Sequence, residues 1–124
     1  MTAQEIFNTA VTFMFGEQTD RPDYQPFWLD TLNYMLAENF RTNNALRQRR
    51  GKEKMESPPL LTGMEDLVDY EWEFTRQILP MGCAGYIFTE DSPGIATAYK
   101  NKYENERSRI LQADYVNSVA EEEE

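Results

Sequence analysis

Histidine is absent from the 124 residues. That removes the usual general base and the commonest metal ligand near neutral pH, and with them any Ser-His or Cys-His nucleophile pair. Cysteine occurs once, as Cys83, so no internal disulfide can form. With no signal-peptide pattern at its start, the chain is expected in a reducing cytoplasm or in a particle built there. No apolar run approaches the roughly 18 residues a membrane-spanning helix needs, so a soluble protein without membrane contact is expected. Positive charge is scarce, 12 bases against 22 acids, for a formal charge of −10. Non-specific attraction to nucleic acid or anionic lipid is therefore disfavoured over most of the surface. A glycine-rich phosphate loop, EF-hand spacing and a cysteine cluster for zinc are all missing.

What is present is an ordinary globular composition, 40% hydrophobic and 13% aromatic, in a length suited to one core. Thr2 and Glu5 have capping-box spacing. Behind them Ile6, Phe7, Ala10, Val11, Met14 and Phe15 recur at helical intervals, and Gly16 supplies a stop. Glu17 to Pro26 reads as a polar connection. Phe27, Trp28, Leu32, Tyr34, Met35, Leu36 and Phe40 then predict a second helix that reaches at least Arg41 and can extend to Arg47. Its apolar residues occupy more than half the circumference, which implies contact on two sides, with its own core and with a neighbouring chain.

Periodicity stops between Arg49 and Gly63, where Gly51, Pro58, Pro59 and Gly63 exclude a regular helix. A loop of about 15 residues is long for a compact domain, so it is expected to be mobile or ordered by a partner, with Leu60 and Leu61 as an extended anchor. Asp66 and Asp69 are candidate caps for a third helix carrying Tyr70, Trp72, Phe74, Ile78 and Leu79. Pro80 interrupts it, and Gly82, Ala84 and Gly85 leave room for another helix to approach closely. Ser92-Pro93 starts a last amphipathic helix, to about Tyr115, with Ile95, Ala98, Tyr99, Lys102, Tyr103, Ile110 and Leu111 at spacings of three and four. The expected fold is all-α: a bundle of about four helices in residues 1–116, one long irregular loop at 49–63, and a solvated acidic tail at 117–124.

Candidate chemistry is thin. Cys83 lies among Met81, Gly82, Ala84 and Gly85, the setting of a small buried hydrophobe and not of a reactive thiol. The pairs Glu65-Asp66, Glu71-Glu73 and Glu90-Asp91 could in principle do acid–base work or hold Mg²⁺ or Ca²⁺. Each lies near a predicted helix end, where acids cap or solvate. We therefore expect no enzyme, metal or cofactor. Half of the bases, Arg41, Arg47, Arg49, Arg50, Lys52 and Lys54, are concentrated in one stretch. Three readings of it stay open: a phosphate contact, the solvated end of a helix, or an arm lying against the acidic body of the next subunit.

The organisation resembles the small helical head–tail adaptor, or connector, proteins of long-tailed phages and prophages. The similarity runs through Asn33 to Lys52, with its NNALRQRRGK ending, then Leu67-Val-Asp-Tyr-Glu-Trp-Glu, Ile78-Leu-Pro-Met-Gly-Cys-Ala-Gly, Asp91-Ser-Pro, and Tyr99 to Arg107. The resemblance implies a homo-oligomeric ring, a dodecamer, docked under the portal protein in the virion neck and assembled in the bacterial cytoplasm. A tail-side completion or stopper protein would sit below, and DNA would pass through a negatively charged channel without specific binding. Phe27, Trp28, Phe40, Arg47, Arg49, Arg50, Lys52, Lys54, Leu60 and Leu61 are the expected subunit or partner interface. The alternative is an acidic regulatory module that imitates DNA charge, with Glu65, Asp66, Asp69, Glu71 and Glu73 forming one surface strip.

Overall fold

The computed structural model describes residues 1–15, 21–87 and 93–123, with side chains described at 1–12, 26–87 and 93–112. The described residues contain four α-helices: α1 (Ala3–Phe15), α2 (Arg21–Arg49), α3 (Leu79–Ile87) and α4 (Pro93–Glu123). No strand occurs among the described residues, and the fold is an all-α bundle. The capping box closes in both directions, with Thr2 N–H donating to Glu5 Oε1 and Glu5 N–H to Thr2 Oγ1, each at 3.1 Å. Ile6, Phe7, Ala10 and Val11 of α1 are all buried, as their spacing predicts.

Helix α2 departs from expectation at its start. It begins at Arg21, so Pro22 lies in the first turn, where an N–H has no intrahelical partner anyway, and Pro26 is carried inside the helix. Its end is legible. Gly51 takes a φ of 76°, Gly51 N–H reaches Gln48 O at 3.1 Å and Lys52 N–H reaches Arg47 O at 2.9 Å, a Schellman closure that needs a residue without Cβ strain.

The expected third helix starts later and differently. Asp66 accepts from Thr62 N–H at 2.8 Å and Gly63 N–H at 3.1 Å, closing a turn in the connection instead of capping a helix, and the side chain of Asp69 is solvated. Helical backbone begins at Trp72 and widens into a π-turn over Phe74–Ile78, where Leu79 N–H bonds to Phe74 O. The π-turn lies directly before Pro80, whose ring would press on the carbonyl four residues back in a regular α-helix. Residues 64–68 pair with the amino-terminal segment through Ala3 N–H to Asp66 O, Gln4 N–H to Met64 O and Val68 N–H to Met1 O. An isolated antiparallel bridge joins Thr2 to Leu67, and the extended anchor expected at Leu60-Leu61 pairs with no strand.

Helix α3 is the hub, packed against α1, α2 and α4. Gly82 makes this possible. A Cβ there would stand 2.7 Å from Met35 Sδ and 2.9 Å from the Tyr103 ring, and one at Gly85 would stand 2.8 Å from Lys100 Cγ. Around this crossing lie Trp28, Leu32, Met35, Leu36, Phe74, Ile78, Leu79, Cys83 and Tyr103, all buried. Helix α4 begins at Pro93 as read, but its apolar stripe is used sparingly: Ala96 and Tyr103 are buried while Ile95 and Leu111 are about half exposed. It also continues to Glu123, through residues where a solvated tail is expected. Gly16, Glu90, Asp91 and Ser92 lie outside the described residues.

Candidate functional site

Two faces of α2 decide what the surface can do. The first carries the connection between α2 and the π-turn, and it is held by asparagine side chains. Asn44 pairs with Met55 in both directions, Met55 N–H to Oδ1 at 2.9 Å and Nδ2 to Met55 O at 3.0 Å. Asn33 does the same to Leu61, at 2.8 and 3.0 Å. Each amide thus satisfies a donor and an acceptor of one loop residue, as a neighbouring strand would. Asn43 Oδ1 accepts from Glu71 N–H at 2.8 Å. Deeper in, Asn39 donates to Tyr103 Oη at 3.0 Å and accepts from Arg107 Nε at 2.8 Å, fastening α2 to α4.

The basic stretch folds onto the same body. Glu71 is only 4% exposed, yet it receives Arg50 Nη1 at 3.0 Å and Lys52 Nζ at 2.9 Å, with Arg47 Nη1 at 3.9 Å. Arg50 also grips Glu73, and Arg47 donates to the carbonyls of Glu53 and Asp69. Burial pushes the Glu71 carboxyl up, but the hydrogen bonds from Lys52 and Arg50 more than offset this and leave it below the ordinary carboxylate value. Arg47, Arg50 and Lys52, expected to reach another subunit, are therefore engaged within their own chain. The loop at 49–63, expected to be mobile or ordered by a partner, is ordered by these ion pairs and by the asparagine amides.

Two further expected interface residues are internal. Trp28 is 0% exposed, packed on Phe7 with ring centroids 4.9 Å apart, and its Nε1 donates to Ala3 O at 3.1 Å. Leu61 is buried in the core, next to its asparagine pin. Phe40 is half-buried on the stripe of α2 that carries Asn33 and Asn44, while Arg49 and Lys54 are exposed. Leu60, by contrast, is 78% exposed.

The second face of α2 points away from the core. Phe27 is 64% exposed and Tyr34 is 54% exposed, seven residues apart and so on one stripe, with exposed Asp30 between them. Tyr86 of α3 joins them, its ring 5.6 Å from that of Tyr34, with Lys100 Nζ 5.2 Å from the Tyr86 centroid. Burial is the main cause that raises the Tyr86 phenol above its ordinary value, followed by its hydrogen bond with Tyr34. Of these three aromatics only Phe27 belongs to the interface expected from sequence. Tyr34 belongs to the aromatic stripe Phe27, Trp28, Tyr34 and Phe40, which reads from sequence as mostly core with part of it open to an interface, and Tyr86 carries no signal, because its neighbour Tyr34 is distant in the chain.

The acids do not form one free strip. Glu71 and Glu73 are consumed by Arg50 and Lys52, and Asp66 by the turn at Thr62. Cys83 is fully buried and burial pushes its thiol well up, the state of an inert packing residue. Among the described residues no group of three acids or cysteines is placed to hold a metal ion, and no helix is long and apolar enough to cross a membrane. Compared with known protein families, curated proteins and solved structures, the chain has no significant match.

Proposed function

We propose that the protein is a structural adaptor that acts by binding other polypeptide chains through the Phe27, Asp30 and Tyr34 stripe of α2 together with Tyr86 of α3. One observation carries this: the exposed rings of Tyr34 and Tyr86 meet across two helices at 5.6 Å, and Phe27, also exposed, lies seven residues earlier on the same stripe of α2. Aromatic side chains bring large contact area at low cost in conformational freedom, and clusters of them mark binding surfaces more often than isolated exposed residues do. The interface thus moves from the basic arm, whose Arg47, Arg50 and Lys52 are engaged internally, to a neighbouring face of the same helix about 100° round.

The family resemblance narrows the proposal to a head–tail adaptor, a ring under the phage portal that meets a tail-side completion protein below. The chain's charge of −10 supports it, since a duplex slides past a negative wall and does not adhere. The DNA-imitating alternative has less to rest on, because Glu71, Glu73 and Asp66 are spent within the fold.

Mass measurement of the purified protein with and without its cognate portal tests the adaptor proposal, combined with hydroxyl-radical labelling of Phe27 and Tyr34. A large complex in which both side chains become shielded is expected. A monomer indifferent to the portal, or a complex that leaves both rings as reactive as before, counts against it.

A further inference from the structure

The connection between α2 and the π-turn carries a backbone edge that its own chain does not cover. Leu67 faces Thr2 in the bridge to the amino-terminal segment, and the bonds flanking that pair run from Ala3 N–H to Asp66 O at 3.0 Å and from Val68 N–H to Met1 O at 2.9 Å. In an antiparallel pair bonded this way the two facing residues exchange no bond, and their own N–H and C=O groups point away from each other. Thr2 spends its groups on α1, its N–H on Glu5 Oε1 and its C=O on Ile6 N–H. Leu67 has no such outlet: among the described residues neither its N–H nor its C=O has a hydrogen-bond partner. Two residues on, Asp69 turns its backbone to the same side. Its C=O accepts from Arg47 Nη1 at 3.2 Å, and its N–H has no partner among the described residues. An extended backbone paired on one side and open on the other is a template for a further strand.

We infer that this edge takes an extended segment of a partner protein, added antiparallel along residues 67–69, with an apolar residue opposite Leu67 and basic residues flanking it. The inference goes beyond the adaptor proposal and does not use the Phe27, Tyr34 and Tyr86 face. In the antiparallel arrangement one residue of the partner exchanges both bonds with Leu67, its N–H donating to Leu67 O and its C=O accepting from Leu67 N–H. Asp69 N–H supplies a further donor to the same segment.

Side chains choose the occupant. Leu67 is 72% exposed, so its isobutyl group gains little from its own chain and has apolar surface to offer. Glu65 and Asp69, two residues to either side, are exposed. Among the described residues Glu65 makes no ion pair, and the Asp69 carboxylate reaches Arg47 only at 4.0 Å. Asp66 adds a third carboxylate, already held by Thr62 and Gly63 N–H. Across paired strands opposite charges attract and like charges repel. A second copy of the chain is thereby disfavoured, because two of these edges meeting antiparallel about Leu67 would set Glu65 of one against Asp69 of the other. A segment that alternates basic and apolar residues meets no such repulsion. So short an edge binds weakly by itself, with a Kd on the order of 1 mM, and contributes most when the partner is also held elsewhere.

Titration of the ¹⁵N-labelled full chain with the peptide acetyl-Arg-Thr-Val-Thr-Arg-amide, to several times that concentration, tests this. The Leu67 and Asp69 amide signals are expected to move together towards saturation, and hydrogen exchange at Leu67 to slow. An analogue with a methyl group on the valine nitrogen keeps both charges but cannot donate to Leu67 O, and it should bind about tenfold more weakly or worse. Acetyl-Glu-Thr-Val-Thr-Glu-amide should leave the parent chain unmoved, and a variant carrying Glu65→Lys and Asp69→Lys, both at exposed positions, should prefer it to the basic peptide. Equal binding of the methylated analogue would mean attraction of charge without strand addition and overturns the inference. Shifts centred on Phe27, Tyr34 and Tyr86 overturn it as well, since the peptide would then occupy the aromatic face. So do Leu67 and Asp69 signals that move with protein concentration in the absence of peptide, because the occupant would then be a second copy.

Discussion

The two ends of the molecule are held by opposite means. At the α3 crossing, Gly82 faces Met35 Sδ and the Tyr103 ring so closely that no further atom fits, and Leu79 and Cys83 are sealed from water. On the far side of α2, between Arg47 and Glu73, few apolar side chains are buried, and the chain is held by Asn33, Asn44, Glu71 and the cations around it. Close apolar packing fails all at once, because a void or an overlap is felt by every helix at the crossing. Polar pins release one at a time, since water can replace each partner. The bundle should therefore unfold as a unit while the strap, residues 55–61 between the Asn44 and Asn33 pins, opens locally at lower cost.

The sharpest way to break that contrast is to attack the packed end. Trp28→Ala removes a fully buried indole and the bond from its Nε1 to Ala3 O, which links α2 to the start of α1. A loss of about 3–5 kcal/mol is expected. Urea denaturation would read it as a lower midpoint with an unchanged slope. A change under about 1 kcal/mol would mean that the crossing tolerates cavities, and the distinction between the two ends would collapse.

The polar end responds less and with a pH signature. Glu71→Gln keeps the shape but takes away the charge that Arg50 and Lys52 converge on, and about 2 kcal/mol should be lost, because both cations are partly exposed and regain water. The sign with pH follows from the lowered carboxyl. The unfolded chain titrates near the ordinary value of 4.5 and the folded protein below it, so this stabilisation is complete above about pH 4.5 and drains away as the pH falls through the folded value. Glu71→Gln should flatten part of the acid limb of the stability curve without abolishing it, since Asp66 and Glu5 are lowered too. A variant with the same acid limb as the parent would show that Glu71 is not charged in the folded state.

How much of this was legible in the sequence follows the same division. The Thr2 and Glu5 box, Gly51 after α2 and Pro93 at the head of α4 are contacts within a few residues, and the pattern of side chains states them directly. The all-α bundle and the buried face of α1 follow from periodicity. Glycines 82 and 85 were readable as a close approach, though not which helices approach. The polar end was misread because its partners are far apart: Asn33 meets Leu61 across 28 residues, and Lys52 meets Glu71 across 19. Nothing local distinguishes a buried asparagine that pins a loop from one on a helix surface. Segregated charge was correctly seen in Arg47, Arg50 and Lys52, but the acid it answers is in the same chain. For the candidate face, the sequence offers Phe27 and Tyr34 as members of one aromatic stripe, but not Tyr86, since the ring contact that brings it to Tyr34 joins α2 to α3.

A pin should matter locally before it matters globally. Asn44→Ala deletes both bonds to Met55, and a global cost of about 1 kcal/mol is expected. Hydrogen exchange at the Met55 amide should speed up by at least tenfold while that of core amides such as Leu32 changes only as the global stability does. Equal acceleration at both positions would mean that the strap opens only when the bundle does, and the two ends would then be one cooperative unit.

The smallest effect separates two neighbouring acids that the sequence treats alike. Asp66 and Asp69 were equal candidates for a helix cap, yet only Asp66 receives backbone N–H groups, from Thr62 and Gly63, and these hold its carboxyl below the ordinary value. Asp69 is 87% exposed, and its one ion pair, to Arg47 at 4.0 Å, is at the limit of contact. Such a pair is screened by salt and contributes next to nothing. Asp69→Asn should leave the denaturation midpoint where it is at any salt concentration, whereas Asp66→Asn, which exchanges an acceptor-only carboxylate for an amide facing two donors, should lower it measurably. A midpoint that shifts for Asp69→Asn and not for Asp66→Asn would mean that the helix begins at the earlier cap the sequence suggests, and that the turn at Thr62 does not hold the strap's far end.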